Sequence, residues 1–90
     1  KEAIQMGLVN RVVPVAELES YVTEYAARIA ANAPLTIHSA NRTVAEALKD
    51  PEDRNLAEIE RLTARCFDSD DYREGRQAFS EKRKPRFKGC

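Results

Sequence analysis

Ninety residues make one small domain at most, and a chain this short buries only about 60–65% of the surface its unfolded form exposes, so its core is thin. Fifteen basic side chains balance fifteen acidic ones, which leaves no global attraction to nucleic acid, a membrane surface or an acidic substrate. No apolar run approaches the roughly 18 residues of a membrane-spanning helix. Residues 1–13 lack a basic region followed by a long apolar stretch, so no signal peptide is expected.

The chain opens at Lys1 inside what reads as the last turns of a helix, the expectation for a fragment, and Gly7 closes that helix in a left-handed conformation. Leu8–Val13 is β-prone but too short to build a sheet alone, so it reads as an extended link or an edge strand that ends at Pro14. From Ala16 the spacing turns helical: Leu18, Tyr21, Val22, Tyr25 and Ile29 share one face. Asn32-Ala33-Pro34 interrupts this helix and starts a second, with Ile37, Ala40, Val44 and Leu48 on one face and an end near Lys49. Asp50-Pro51-Glu52-Asp53 predicts the start of a third, Asp50 capping and Pro51 in the first turn, with Leu56, Ile59, Leu62, Cys66 and Phe67 as its buried stripe. Ser69 predicts the cap of a shorter fourth helix through about Glu81, anchored by Tyr72 and Phe79. Gly75 weakens that helix by about 1 kcal/mol, which points to close packing against another element. Pro85 stops any continuation, and Lys82–Lys88 forms a basic tail with one aromatic, Phe87.

The expected fold class is therefore all-α: three principal helices, a short fourth and a basic tail. Residues 1–14 are the end of a helix plus a link, and residues 15–90 the helical domain. Every helix carries an apolar stripe, yet few residues remain to cover them, so part of this surface is expected to lie against another domain or subunit.

Two phrases are more specific than helical periodicity. One is Gly7-Leu8-Val9-Asn10-Arg11-Val12-Val13-Pro14 with Glu17-Leu18, Ile29-Ala30 and Ala33-Pro34 downstream; the other runs from Phe67 through Ser69, Asp71, Glu74-Gly75, Ala78-Phe79 and Glu81-Lys82-Arg83 to Pro85 and Phe87. Together they resemble the C-terminal region of the enoyl-CoA hydratase/isomerase (crotonase) family over essentially the whole chain. The closing phrase is the more specific of the two.

The resemblance implies an N-terminal core of repeated ββα units, absent here, that binds the acyl-CoA thioester and stabilises its enolate-like charge with two backbone N–H groups. In hydratases that core also supplies two glutamates for acid/base work on water. No catalytic residue is therefore expected on this chain. The helical domain is implied to support a trimer or dimer of trimers, to cover the active site and to complete the outer coenzyme A site. Lys82 matches the family lysine that contacts the nucleotide end of coenzyme A, whose pyrophosphate and 3′-phosphate suit an ammonium. The CoA thioester is substrate, and no covalently bound cofactor and no metal are expected. At one position the chain departs from the pattern: where related hydratases often carry an aromatic near the adenine it has Thr63, so the resemblance extends no adenine stacking to it. The family also often has Lys where this chain has Asn41, a change to which no function attaches.

The remaining candidates read as structural. Lys82 and Arg83 would by themselves be a solvated helix end favoured by the dipole, and Lys84, Arg86 and Lys88 stay in that class. Lys82–Lys88 also resembles a nucleic-acid patch, but no groove-reading module accompanies it. Glu74 and Glu81 look like candidate acids, but Glu74 and Asp71 suit helix ion pairs or caps. His38, the one histidine, has no partner for metal or nucleophilic chemistry and belongs at the surface or its boundary. Cys66 reads as a small core residue and Cys90 as a second reduced thiol of a cytoplasmic protein. Tyr21, Tyr25 and Phe79 are packing aromatics, whereas Phe87 lies beyond any helix and is expected to pin the tail by inserting into a neighbour.

The reading that follows is a domain of an enoyl-CoA hydratase, whose parent hydrates 2-trans-enoyl-CoA to 3-hydroxyacyl-CoA. Another reaction of the family, such as enoyl-CoA isomerisation, is the first alternative. A helical interaction module whose basic tail binds an anionic partner is the second.

Overall fold

A computed structural model describes all 90 residues. Its elements in chain order are α1 (Glu2–Gln5), α2 (Val15–Ala30), α3 (Pro34–Ala47), a single 3-10 turn (Pro51–Asp53), α4 (Leu56–Phe67) and α5 (Asp70–Ser80), with no β-strand. The all-α expectation holds. None of the helices is long and apolar enough to cross a membrane.

α1 ends as Gly7 allows. Gly7 adopts φ +74°, its N–H donates to Ile4 O, and Leu8 N–H donates to Ala3 O, the paired bonds of a Schellman cap. The β-prone run after it stays unpaired with any strand and serves as the link. Arg11 rests over the Tyr21 ring, 4.8 Å from its centroid, and so ties the link to the first turns of α2.

α2 carries the amphipathic face its spacing predicts, and Asn32 closes it by donating from Nδ2 to Arg28 O at 2.7 Å. That face is largely open: Leu18, Val22, Tyr25 and Ile29 are all exposed, and Tyr21 alone is partly covered. α3 packs on α4 and α4 on α5, while α2 makes no packing of that extent with another helix. The chain consequently spreads into a plate of 44 × 43 × 17 Å with a radius of gyration of 17.2 Å, against about 12 Å for a compact chain of this length.

The start of α4 corrects the sequence expectation. Asp50-Pro51 initiates only the isolated 3-10 turn, and the Asp50 side chain caps nothing. The cap is Asn55, whose side-chain oxygen accepts from Glu58 N–H at 3.0 Å. The reason lies in what holds the connection. Arg54 donates to the Ala47 and Lys49 carbonyls, closing the end of α3, which stops at Ala47 rather than near Lys49. Glu46, almost fully buried, takes Asn55 N–H at 2.8 Å and Lys49 Nζ at 2.9 Å. Those bonds hold its carboxyl below the usual range, the Asn55 N–H contributing most.

Burial is sparse. Only Leu62, Ala78, Glu46, Ser69 and Asp71 are buried, so three of the five positions are polar side chains that anchor backbone. Of the stripe expected on α4, Leu62 is buried and Ile59 and Cys66 are partly covered, but Leu56 and Phe67 are exposed. Replacing Asn55 by Ala should destabilise the fold by about 1 kcal/mol, whereas Asp50→Ala should be close to neutral. Thermal unfolding followed by circular dichroism compares the two, and the reverse order would return the cap to Asp50.

Candidate functional site

The polar residues of the second phrase gather at α5 and the chain that folds back along it. Ser69 begins α5 as predicted: its Oγ accepts from Tyr72 N–H at 3.0 Å and its O–H donates to Cys66 O at 2.6 Å. Asp71, in the first turn, is buried, and its two carboxylate oxygens accept the N–H groups of Lys88 and Gly89, each at 2.7 Å. Its own N–H, an unpaired donor of the helix start, is satisfied by Cys90 O at 3.0 Å. The tail thus runs extended beside the first half of α5.

One turn on, Glu74 holds the other end of the same segment. Arg83 reaches it with two nearly parallel bonds, Nη1 to Oε1 at 2.6 Å and Nη2 to Oε2 at 3.0 Å, and Arg86 N–H donates to Oε1 at 2.8 Å. Arg83 Nε donates to Glu81 at 2.5 Å. The Arg83 guanidinium first, and the Arg86 N–H second, pull the Glu74 carboxyl down to about 2. Arg83 is shifted up, chiefly by Glu74 and then by Glu81. Glu81 is shifted down by Arg83 first and the Gln77 amide second.

Between these anchors the packing is apolar. The position of a Cβ on Gly75 would lie 3.5 Å from Phe87 Cε1, an ordinary van der Waals distance, so Phe87 packs over this position without requiring a glycine there. Phe87 therefore pins the tail, but onto its own α5. Leu35 and Val44 of α3, Phe67 of α4, Tyr72 and Phe79 of α5, and Phe87 line an open groove of about 960 Å³. Phe67 and Tyr72 meet edge to face at 5.1 Å. Thr63 lines the same groove.

Lys82 occupies the turn where the chain leaves α5. It is exposed and left-handed at φ 53°, the one non-glycine residue with positive φ. Its N–H donates to Phe79 O, and Arg83 N–H donates to Ala78 O, a second Schellman cap. Lys84, Arg86 and Lys88 also extend into solvent, as does His38. No three His, Cys, Asp or Glu side chains are placed to hold a metal ion, and Cys66 and Cys90 are free thiols.

Sequence reasoning placed Lys82, Gly75 and Phe87 in one phrase; the fold brings Phe87 onto Gly75 and leaves Lys82 exposed at the far end of α5. It missed the role of Asp71 and Glu74, which bind tail backbone rather than forming only helix caps or pairs, and it missed Glu46. The Arg42-Glu46-Lys49 spacing was a usable signal for the last, since both cations lie on its helix face at 3.7 and 2.9 Å.

The family model described as "Enoyl-CoA hydratase/isomerase" matches residues 1–90. Methylmalonyl-CoA decarboxylase of Escherichia coli is 38% identical over 99% of this chain and 35% of its own length. An enoyl-CoA hydratase of Mycobacterium tuberculosis is 37% identical over 96% of the chain and 32% of its own. A solved structure from Mycobacterium abscessus assigned as an enoyl-CoA hydratase/isomerase superposes with a TM-score of 0.83 at 39% identity, covering 99% of this chain and 37% of that one. The chain spans about a third of the length of the curated relatives it matches.

Because the Glu74 carboxyl ordinarily titrates near 4.5 and is held at about 2 in the fold, its contribution is complete above pH 4.5 and is lost as pH falls toward 2. The Arg86 amide resonance of the labelled folded chain should move toward its random-coil position in a titration centred near pH 2. A resonance unchanged through that titration would remove Glu74 as the anchor.

Proposed function

The chain belongs to the enoyl-CoA hydratase/isomerase family, and on that premise we propose that it is the helical C-terminal domain of an enoyl-CoA hydratase that adds water to a 2-trans-enoyl-CoA. The observation that carries this reading is the family match across all 90 residues, supported by a hydratase among the close relatives. In this proposal the oxyanion hole and the acid/base glutamates lie in a core outside the chain. The chain contributes assembly, cover for the active site and one contact to the coenzyme.

Assembly and the coenzyme contact have physical support. The exposed face of α2 and the groove between α3, α4 and α5 leave too much apolar surface in water for an isolated domain, which favours association into a trimer or a dimer of trimers. Lys82 offers an exposed ammonium at a fixed turn, and a coenzyme A phosphate is a fitting acceptor. We place the whole protein in the cytoplasm, with acyl-CoA as substrate and no nucleic acid or membrane partner. A second reading is favoured by the similarity to methylmalonyl-CoA decarboxylase: the same oxyanion chemistry serves a decarboxylation or a double-bond shift if the core side chains differ.

Crotonyl-CoA mixed with the full-length protein should lose its enoyl-thioester absorbance, and the 90-residue chain alone should leave it unchanged. Turnover by the chain alone would overturn the proposed division of labour; absence of turnover by both would favour the second reading. In sedimentation the isolated chain should form dimers or larger species at tens of micromolar. A monomer at every concentration would remove the assembly role.

A further inference from the structure

The chain builds the same helix stop twice and fills it differently. After α1, Gly7 takes the left-handed position, with Gly7 N–H on Ile4 O and Leu8 N–H on Ala3 O. After α5, Lys82 takes that position with the same pair of bonds, Lys82 N–H on Phe79 O and Arg83 N–H on Ala78 O. Glycine enters this conformation without steric cost, whereas a lysine Cβ crowds its own carbonyl. A residue held there against that preference needs surroundings that fix the turn from outside.

Those surroundings are Glu74 and Arg83. Arg83, the next residue, is bound bidentately by Glu74 and held by Glu81 through Nε. Glu74 also takes Arg86 N–H, so one carboxylate grips the chain at two points just beyond Lys82. The Arg83 charge is spent within this cluster, while the Lys82 ammonium next to it extends into solvent without an ion pair.

We propose that Glu74 is a positioning residue: its grip on Arg83 and Arg86 fixes the left-handed turn at Lys82 and so aims the Lys82 ammonium at a phosphate of coenzyme A. This rests on the reading of Lys82 as a coenzyme contact. It adds an anionic residue to an anion-binding surface for a geometric reason, and that makes the sign of its effect diagnostic. Simple electrostatics says that removing a carboxylate near the ammonium strengthens phosphate binding. Loss of aim says that it weakens it.

The test titrates free coenzyme A into the full-length protein and its variants by calorimetry at low salt, with helicity recorded for each. Glu74→Gln should weaken binding about fivefold to tenfold, the scale of one misplaced charge-assisted hydrogen bond. Tighter or equal binding by E74Q would overturn the positioning role. Lys82→Gly guards against loss of fold, since glycine suits the turn: its melting temperature should rise or hold while coenzyme A affinity falls at least as far as in E74Q. If K82G binds as tightly as the unaltered protein, the coenzyme contact itself fails, and the positioning role with it. If K82G loses affinity while E74Q gains it, the contact stands and only the positioning is wrong. No binding by the unaltered full-length protein overturns both.

Discussion

Two carboxylates one turn apart on α5, Asp71 and Glu74, hold the last segment of the chain through its backbone. The arrangement answers a problem set by the sequence: after Pro85 the chain cannot continue a helix, and no strand is present to pair with it. Its N–H groups at Arg86, Lys88 and Gly89 would otherwise be left to water. With those donors taken by side chains, the segment is ordered without secondary structure of its own. Phe87 is delivered onto Gly75, and the groove acquires its last wall.

The same device recurs at the other end of the packed helices. Glu46 grips the backbone of Asn55 much as Asp71 grips that of Lys88 and Gly89, and in each case the carboxylate is buried although most of the apolar side chains around it are not. This fold places its polar groups where backbone must be fixed and leaves much of its hydrophobic surface outward. That inversion of the usual economy suits a piece whose apolar faces are completed by something else.

Much of this was legible in the residues. Helix periods, the Ser69 cap and the stop at Gly7 follow from local rules, because each depends on neighbours within a turn or two. The family was legible from the phrase between Phe67 and Phe87. What escaped was set by contacts across nine to eighteen residues, where no period or cap rule reaches: Glu74 to Arg83, Asp71 to Gly89, and Glu46 to Asn55. The start of α4 failed for the same reason. Asp50-Pro51 is a good local start signal, but Glu46 and Arg54 tether the chain through the following residues and hand the cap to Asn55.

A plate 17 Å thick has almost no interior, and this alters what a side-chain change can do in it. In a compact domain, replacing a large apolar residue opens a void that the fold itself must bear. Here a change at Phe79 or Val22 opens none, since both already meet solvent. Its effect falls on whatever covers the plate. Any such cover binds only the folded form, so the temperature at which the helices come apart is set by how much of that cover is present as well as by the chain's own residues.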